Sequence, residues 1–154
     1  DNVDATLAQH GISGPIDLLS IAIDGNDYWV WQGIESIDPR VVVIEYNATF
    51  GPERSVTIPY RADFAKREHH KAGYYHGASL EALVRLGKRH GYRLIGCESY
   101  GNNAFFVKDA ECGDHFQAFT PNQVLFPCAD RGLRGVTPEE QWRQIEDMPL
   151  EEVD

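Results

Sequence analysis

Methionine, cysteine and cationic side chains are scarce in this chain. Its 154 residues include one Met and three Cys, and 14 Lys+Arg stand against 24 Asp+Glu, for a formal charge of −10. An acidic excess of this size repels a phosphate backbone or an anionic lipid surface, so neither nucleic acid nor membrane is expected as a partner. No apolar run approaches the roughly 20 residues of a membrane-spanning helix. The opening Asp1-Asn2-Val3-Asp4 has neither the basic start nor the apolar stretch of a secretory signal. Cys97, Cys112 and Cys128 are odd in number and lie 15 and 16 residues apart, which matches neither a disulfide framework nor a paired zinc knuckle. These absences predict a cytoplasmic chain with reduced thiols. What is present, 42% apolar and 11% aromatic residues, suffices for one globular core.

Periodicity orders the chain. Val3 to His10 carries a weak helical pattern that Ser13-Gly14-Pro15 interrupts. Ile16 to Ile23 is a mostly apolar, β-branched run of strand length, expected to be a buried strand, and Asp24-Gly25-Asn26-Asp27 is the turn that follows it. Tyr28, Trp31 and Ile34 then recur at helical spacing, with Val30 and Ile37 on a neighbouring stripe, predicting a helix of about ten residues stopped by Asp38-Pro39. Val41-Val42-Val43-Ile44 predicts a second strand, buried on both faces. Strand, helix and strand over this length form a βαβ unit with parallel strands, so the fold class is α/β.

Residues 47–77 form a connection too long for an ordinary loop and are expected to be functional. Ser79 is the N-cap of a helix over Leu80 to His90, with Gly91 as its stop. Tyr92 to Cys97 and Ala104 to Lys108, joined by Ser99-Tyr100-Gly101-Asn102-Asn103, predict an antiparallel hairpin. Pro138 to Met148 predicts a further helix, and Glu151 to Asp154 a solvated end. The chain divides into an α/β domain over 1–110 and a C-terminal extension over 111–154.

The segments Asp17-Leu-Leu-Ser-Ile-Ala-Ile-Asp-Gly-Asn-Asp-Tyr-Trp-Val-Trp31, Val41-Val-Val-Ile-Glu-Tyr-Asn47 and Gly51-Pro52 resemble the FkbM-type S-adenosylmethionine-dependent methyltransferases, over roughly residues 2 to 110. Many members of that group read Ile-Asp-Ile-Asp-Gly in this stretch, where this chain has Ala22. The resemblance implies the C-terminal half of a Rossmann-like methyltransferase sheet and methyl transfer to an oxygen of a small-molecule or glycan-like acceptor. It also implies that the cofactor-binding loop would lie upstream of Asp1. The chain is therefore expected to be a fragment whose strand 16–23 is an open edge, pairing with a second copy or with a missing N-terminal half.

In open α/β sheets ligands bind beyond the carboxyl ends of the strands, where Asp24, Asp27, Glu45 and Asn47 fall. Asp24, Asp27 and Glu45 are the catalytic candidates, one of them as general base for the acceptor hydroxyl. Asp24, Glu45 and Asn47 offer oxygen ligands to Mg²⁺. Asp24-Gly-Asn-Asp27 is also what a strand-to-helix turn and N-cap need, Glu45 serves as readily as a salt-bridge partner of Arg40 or Arg54, and Asn47 is more often a loop cap than a ligand. Asn47, Tyr74, Tyr75 and His76 are the substrate-binding candidates, with packing of the long loop against the sheet as the alternative for Tyr74 to His76. Glu68-His69-His70 with His76 invites a metal reading, but adjacent imidazoles point apart, so one zinc centre would rarely use both.

Overall fold

The computed structural model describes residues 3–154; Asp1 and Asn2, half of the polar start discussed above, lie outside the described residues. Helix α1 (Val3–Gln9) leads into strand β1 (Gly14–Ile21), and α2 (Asp27–Gly33) crosses over to β2 (Ile37–Glu45). A 3-10 turn (Ala48–Phe50), the short strand β3 (Val56–Thr57) and the single turn α3 (Lys66–His69) occupy the long connection. Then come α4 (Leu80–Arg89), β4 (Tyr92–Cys97), β5 (Asn103–Lys108) and the short helices α5 (Asp109–Cys112), α6 (Pro121–Val124), α7 (Ala129–Leu133) and α8 (Pro138–Arg143). The last strand is β6 (Glu151–Glu152). The fold is α/β with a mixed sheet in the order β1-β2-β5-β4: β1 and β2 are parallel, whereas β5 runs antiparallel to both β2 and β4.

Alternation along β2 decides which face carries the core. Val42 and Ile44 are buried with Trp31, Leu83, Leu86 and Phe106, under α2 and α4, while Val41 and Val43 on the opposite face are only half-buried. The expectation of a strand buried on both faces is corrected to that extent. Strand β1 corrects a second one. It begins and ends two residues earlier than read from the sequence, and it lies at the sheet edge with Ile21 as its sole fully buried residue and Leu18 57% exposed. An apolar run is buried only where neighbours cover it, and β1 has one neighbouring strand among the described residues. The helix expected to reach Asp38 stops at Gly33, because Pro39 holds Asp38 extended and the strand already begins at Ile37.

Helix α4 follows its sequence signals. Ser79 Oγ accepts the Ala82 amide at 3.1 Å, and the same oxygen accepts the Val56 amide at 3.1 Å, so one hydroxyl caps the helix and anchors β3. The C-terminal segment folds back on the long connection: β6 pairs with β3, and Ile145 is buried with Phe50, Ile58, Tyr74 and Tyr75 in a second core. Helix α8 has the capping box of Thr137 and Glu140 but ends at Arg143, short of the expected Met148. Among the described residues no helix is long and apolar enough to cross a membrane.

Ser79→Ala removes an acceptor shared by two amides, one of them a helix cap. It is expected to lower the unfolding free energy by about 2 kcal/mol, more than the ~1 kcal/mol of a surface cap. Urea denaturation with an unchanged m-value checks this, and a loss below about 0.5 kcal/mol would contradict the double role.

Candidate functional site

Because β1 and β2 are parallel, with Ile21 opposite Ile44, their carboxyl ends share one rim. Leaving β1, the chain turns at Asp24, the sole non-glycine residue with positive φ (58°) among the described residues, a conformation that Asp tolerates better than most side chains. The turn is closed by Asp27, whose carboxylate accepts the amides of Ile23 and Gly25, each at 2.9 Å. Asp27 is fully buried, and burial holds its carboxyl above the ordinary range. Its oxygens are engaged by the backbone, so it shapes the rim and does not face a ligand. Asp24 is exposed, and Lys66 of α3 donates to it at 2.5 Å.

Glu45 ends β2 with its side chain 15% exposed, 4.0 Å from Lys66 Nζ. Its pKa is pushed up to about 7, chiefly by burial and further by the charges of Asp27 and Asp24, while Lys66 opposes the shift. The arginines weighed as its partners are elsewhere: Arg40 pairs with Asp17 and Glu111, and Arg54 donates to the Phe50 carbonyl.

Asn47 follows two residues later and is buried. Its amide nitrogen donates to the carbonyls of Tyr74 (2.7 Å) and His76 (2.9 Å), and its oxygen accepts from the Thr49 amide (3.1 Å) and from Arg131 (3.1 Å). This carboxamide therefore has no free ligand atom. The segment it pins places His76 in the interior, where Arg131 approaches Nε2 at 2.9 Å. A guanidinium only donates, so Nε2 is the acceptor and the ring proton sits on Nδ1, which is buried without a hydrogen-bond partner. Burial and two nearby cations hold His76 neutral, well below the ordinary histidine range. Tyr74 lies beneath the Arg131 guanidinium, 5.4 Å from its ring centre, whereas Tyr75 points away and donates to the Pro149 carbonyl at 2.6 Å.

Of the sequence candidates, Asp24 and Glu45 meet in a cleft of about 270 Å³ that Lys66, Arg67, Arg131 and Arg134 also line. Asp27, Asn47 and Tyr75 serve the scaffold. Lys66 and Arg131 were not singled out from the sequence: one sits in the long connection, the other in the C-terminal segment, and neither belongs to a local motif. A larger cleft of about 500 Å³, lined by Ile23, Trp29, Val30 and Tyr60, has Asp4 as its one carboxylate, and Ser36 and Glu35 engage that group.

The ligand set Asp24, Glu45 and Asn47 expected for Mg²⁺ is not assembled, since both polar atoms of Asn47 are engaged in hydrogen bonds. Asp24, Glu45 and His76 do bring one donor atom each within 4.8 Å of one another. An imidazole is a poor ligand for Mg²⁺, and the Lys66 ammonium, paired with Asp24 and 4.0 Å from Glu45, opposes a second cation there. The adjacent imidazoles are engaged separately: His69 stacks on Phe64, and His70 accepts the Tyr74 amide. Cys97, Cys112 and Cys128 are free thiols, and burial pushes Cys97 up to about 12. Compared with models of known protein families, with curated proteins and with solved structures, the chain matches none.

A carboxyl whose pKa rises on folding binds its proton more tightly in the folded state. The contribution of Glu45 to stability is therefore fully present below its ordinary value of 4.5 and is lost as pH rises through about 7. Asp27 acts in the same direction. Glu45→Gln is expected to flatten the fall in stability between those pH values, as measured by denaturation at a series of pH; an unchanged slope would contradict the shift.

Proposed function

We propose that the chain forms the acceptor side of a Rossmann-like S-adenosylmethionine-dependent O-methyltransferase, in which Glu45 takes the proton of an acceptor hydroxyl. The supporting observation is the convergence of Asp24 and Glu45 at the carboxyl end of a parallel strand pair, in one cleft with Lys66 and Arg131. A carboxylate with a pKa of about 7 is matched to removing a proton near neutral pH. Lys66 steadies the carboxylates, and the cleft walls restrict how a small or glycan-like acceptor presents its oxygen. The residues described do not by themselves make a seat for the cofactor. In wound sheets that seat is a glycine-rich turn after a strand, whereas Gly11 precedes β1 and Gly14 opens it.

The test incubates S-adenosylmethionine and a panel of hydroxylated acceptors with the 154-residue chain and, separately, with the product of its full natural reading frame. S-adenosylhomocysteine should form, and Glu45→Gln should lower kcat by about 10²- to 10⁴-fold with little change in KM. No product from either form, or a Glu45→Gln enzyme of full activity, would refute it.

The open edge favours a second reading, in which the chain is a non-catalytic domain that pairs through β1. Leu18 is exposed on that edge, Ile23 lies exposed just beyond it, and Ala22 leaves the rim one carboxylate poorer than the resemblance implies. A charge on an edge strand blocks pairing. Under this reading the chain elutes as a dimer, or as a complex with its partner, and Leu18→Lys dissociates it in light-scattering chromatography while leaving the melting temperature of the monomer unchanged. A monomer at all concentrations with no partner retained would remove it.

A further inference from the structure

Acids outnumber bases by 24 to 14 in this chain, yet three arginines around one cleft, Arg67, Arg131 and Arg134, have no carboxylate within ion-pair distance among the described residues. Arg131 is the informative one. Its Nη1 donates to Asn47 Oδ1 (3.1 Å), Thr49 Oγ1 (2.5 Å) and Gln141 Oε1 (3.1 Å), and its Nη2 approaches His76 Nε2 (2.9 Å) and the Gly73 carbonyl (3.5 Å). Every one of these partners is neutral, so the guanidinium is fixed in place without being neutralised. Burial opposes its charge, which lowers its pKa. A half-buried cation held by dipoles alone is costly unless a counter-charge arrives.

No carboxylate of the cleft is ion-paired with Arg131: Asp24 is held by Lys66, Asp130 accepts the Tyr100 hydroxyl, and Glu45 attracts the guanidinium only from beyond ion-pair distance. Arg131 Nε takes no protein acceptor among the described residues, and a guanidinium fork matches the oxygens of phosphate and carboxylate. A cleft of about 270 Å³ has room for a small head group.

We propose that this cleft is an anion receptor: Arg131, with Arg67 and Arg134 at the mouth, binds a phosphate or carboxylate group carried by the acceptor. As a statement about the acceptor this rests on the function proposed above; as a statement about anion binding it is measured without catalysis. Arg131 fixes the handle, and the hydroxyl-bearing part of the same molecule extends toward Glu45.

The experiment titrates the 154-residue chain with inorganic phosphate and, separately, with acetate at low chloride, by calorimetry and by the NMR resonance of the Arg131 Nε–H. Saturable binding with a dissociation constant of about 1 mM or tighter is expected for at least one of them, with a shift of that resonance. The two arms identify the head group as phosphate or carboxylate. Arg131→Lys keeps the charge but loses the fork and should weaken binding at least about fivefold. Arg131 also braces Asn47, Thr49 and Gln141, so a second variant guards against misfolding: Arg67→Gln with Arg134→Gln, both at exposed positions, should weaken binding about tenfold. Arg143→Gln, an exposed site outside the cleft, should leave it unchanged. No saturable response to either anion up to about 50 mM, or equal weakening by Arg143→Gln, overturns the proposal. Anion binding without methylation would retain the receptor and remove the transferase. Methylation of neutral acceptors with no anion response would do the reverse.

Discussion

The carboxamide of Asn47 is the joint on which the rim depends. It sits just past the end of β2, and its four hydrogen bonds tie the 3-10 turn, the 74–76 backbone and Arg131 of α7 to one point. None of those segments has enough regular structure to hold its own position; the longest element within them is the five residues of α7. A buried amide with all its bonding capacity filled is both stable and specific, because any other arrangement of these loops would leave a polar atom without a partner. The positions of His76 and Arg131 are consequences of that one side chain.

Around this joint the charges are arranged in tiers. Lys66 meets Asp24 and Glu45 at the outer tier, Arg131 lies deeper among neutral acceptors, and His76 is deepest, uncharged, with an unpartnered ring N–H. At the greatest depth His76 carries no charge, as the cost of desolvation requires, whereas the charge of Arg131 is held against that cost by neutral hydrogen-bond acceptors. The same cost explains why Glu45 retains its proton to about neutral pH although a lysine is near: 4.0 Å is too far for a strong ion pair, and burial outweighs the attraction.

The sheet was largely legible in the sequence and the cleft only in part. Val41 to Ile44, the Ser79 cap and the paired runs around Gly101 carry their information within a few residues, so strand, helix and hairpin could be read directly. The paired carboxylates could be read too, since the end of a parallel strand is a position that periodicity defines. Lys66, Arg131 and Gln141 come from segments without periodicity, and only long-range hydrogen bonds bring them together. The exposure of β1 is not legible for a related reason: an apolar run signals strand formation but not how many neighbours the strand will have.

The three tryptophans occupy distinct places in this architecture. Trp31 is wedged against Phe106 in the sheet core, Trp142 lies under the Arg54 guanidinium at the second core, and Trp29 packs on the first core while its indole N–H reaches the Ile58 carbonyl of the second. The molecule thus contains its own optical probes, one per hydrophobic nucleus and one across the seam. Intrinsic emission resolved by single-tryptophan variants would show whether the two nuclei melt together or the loop-built half loosens first.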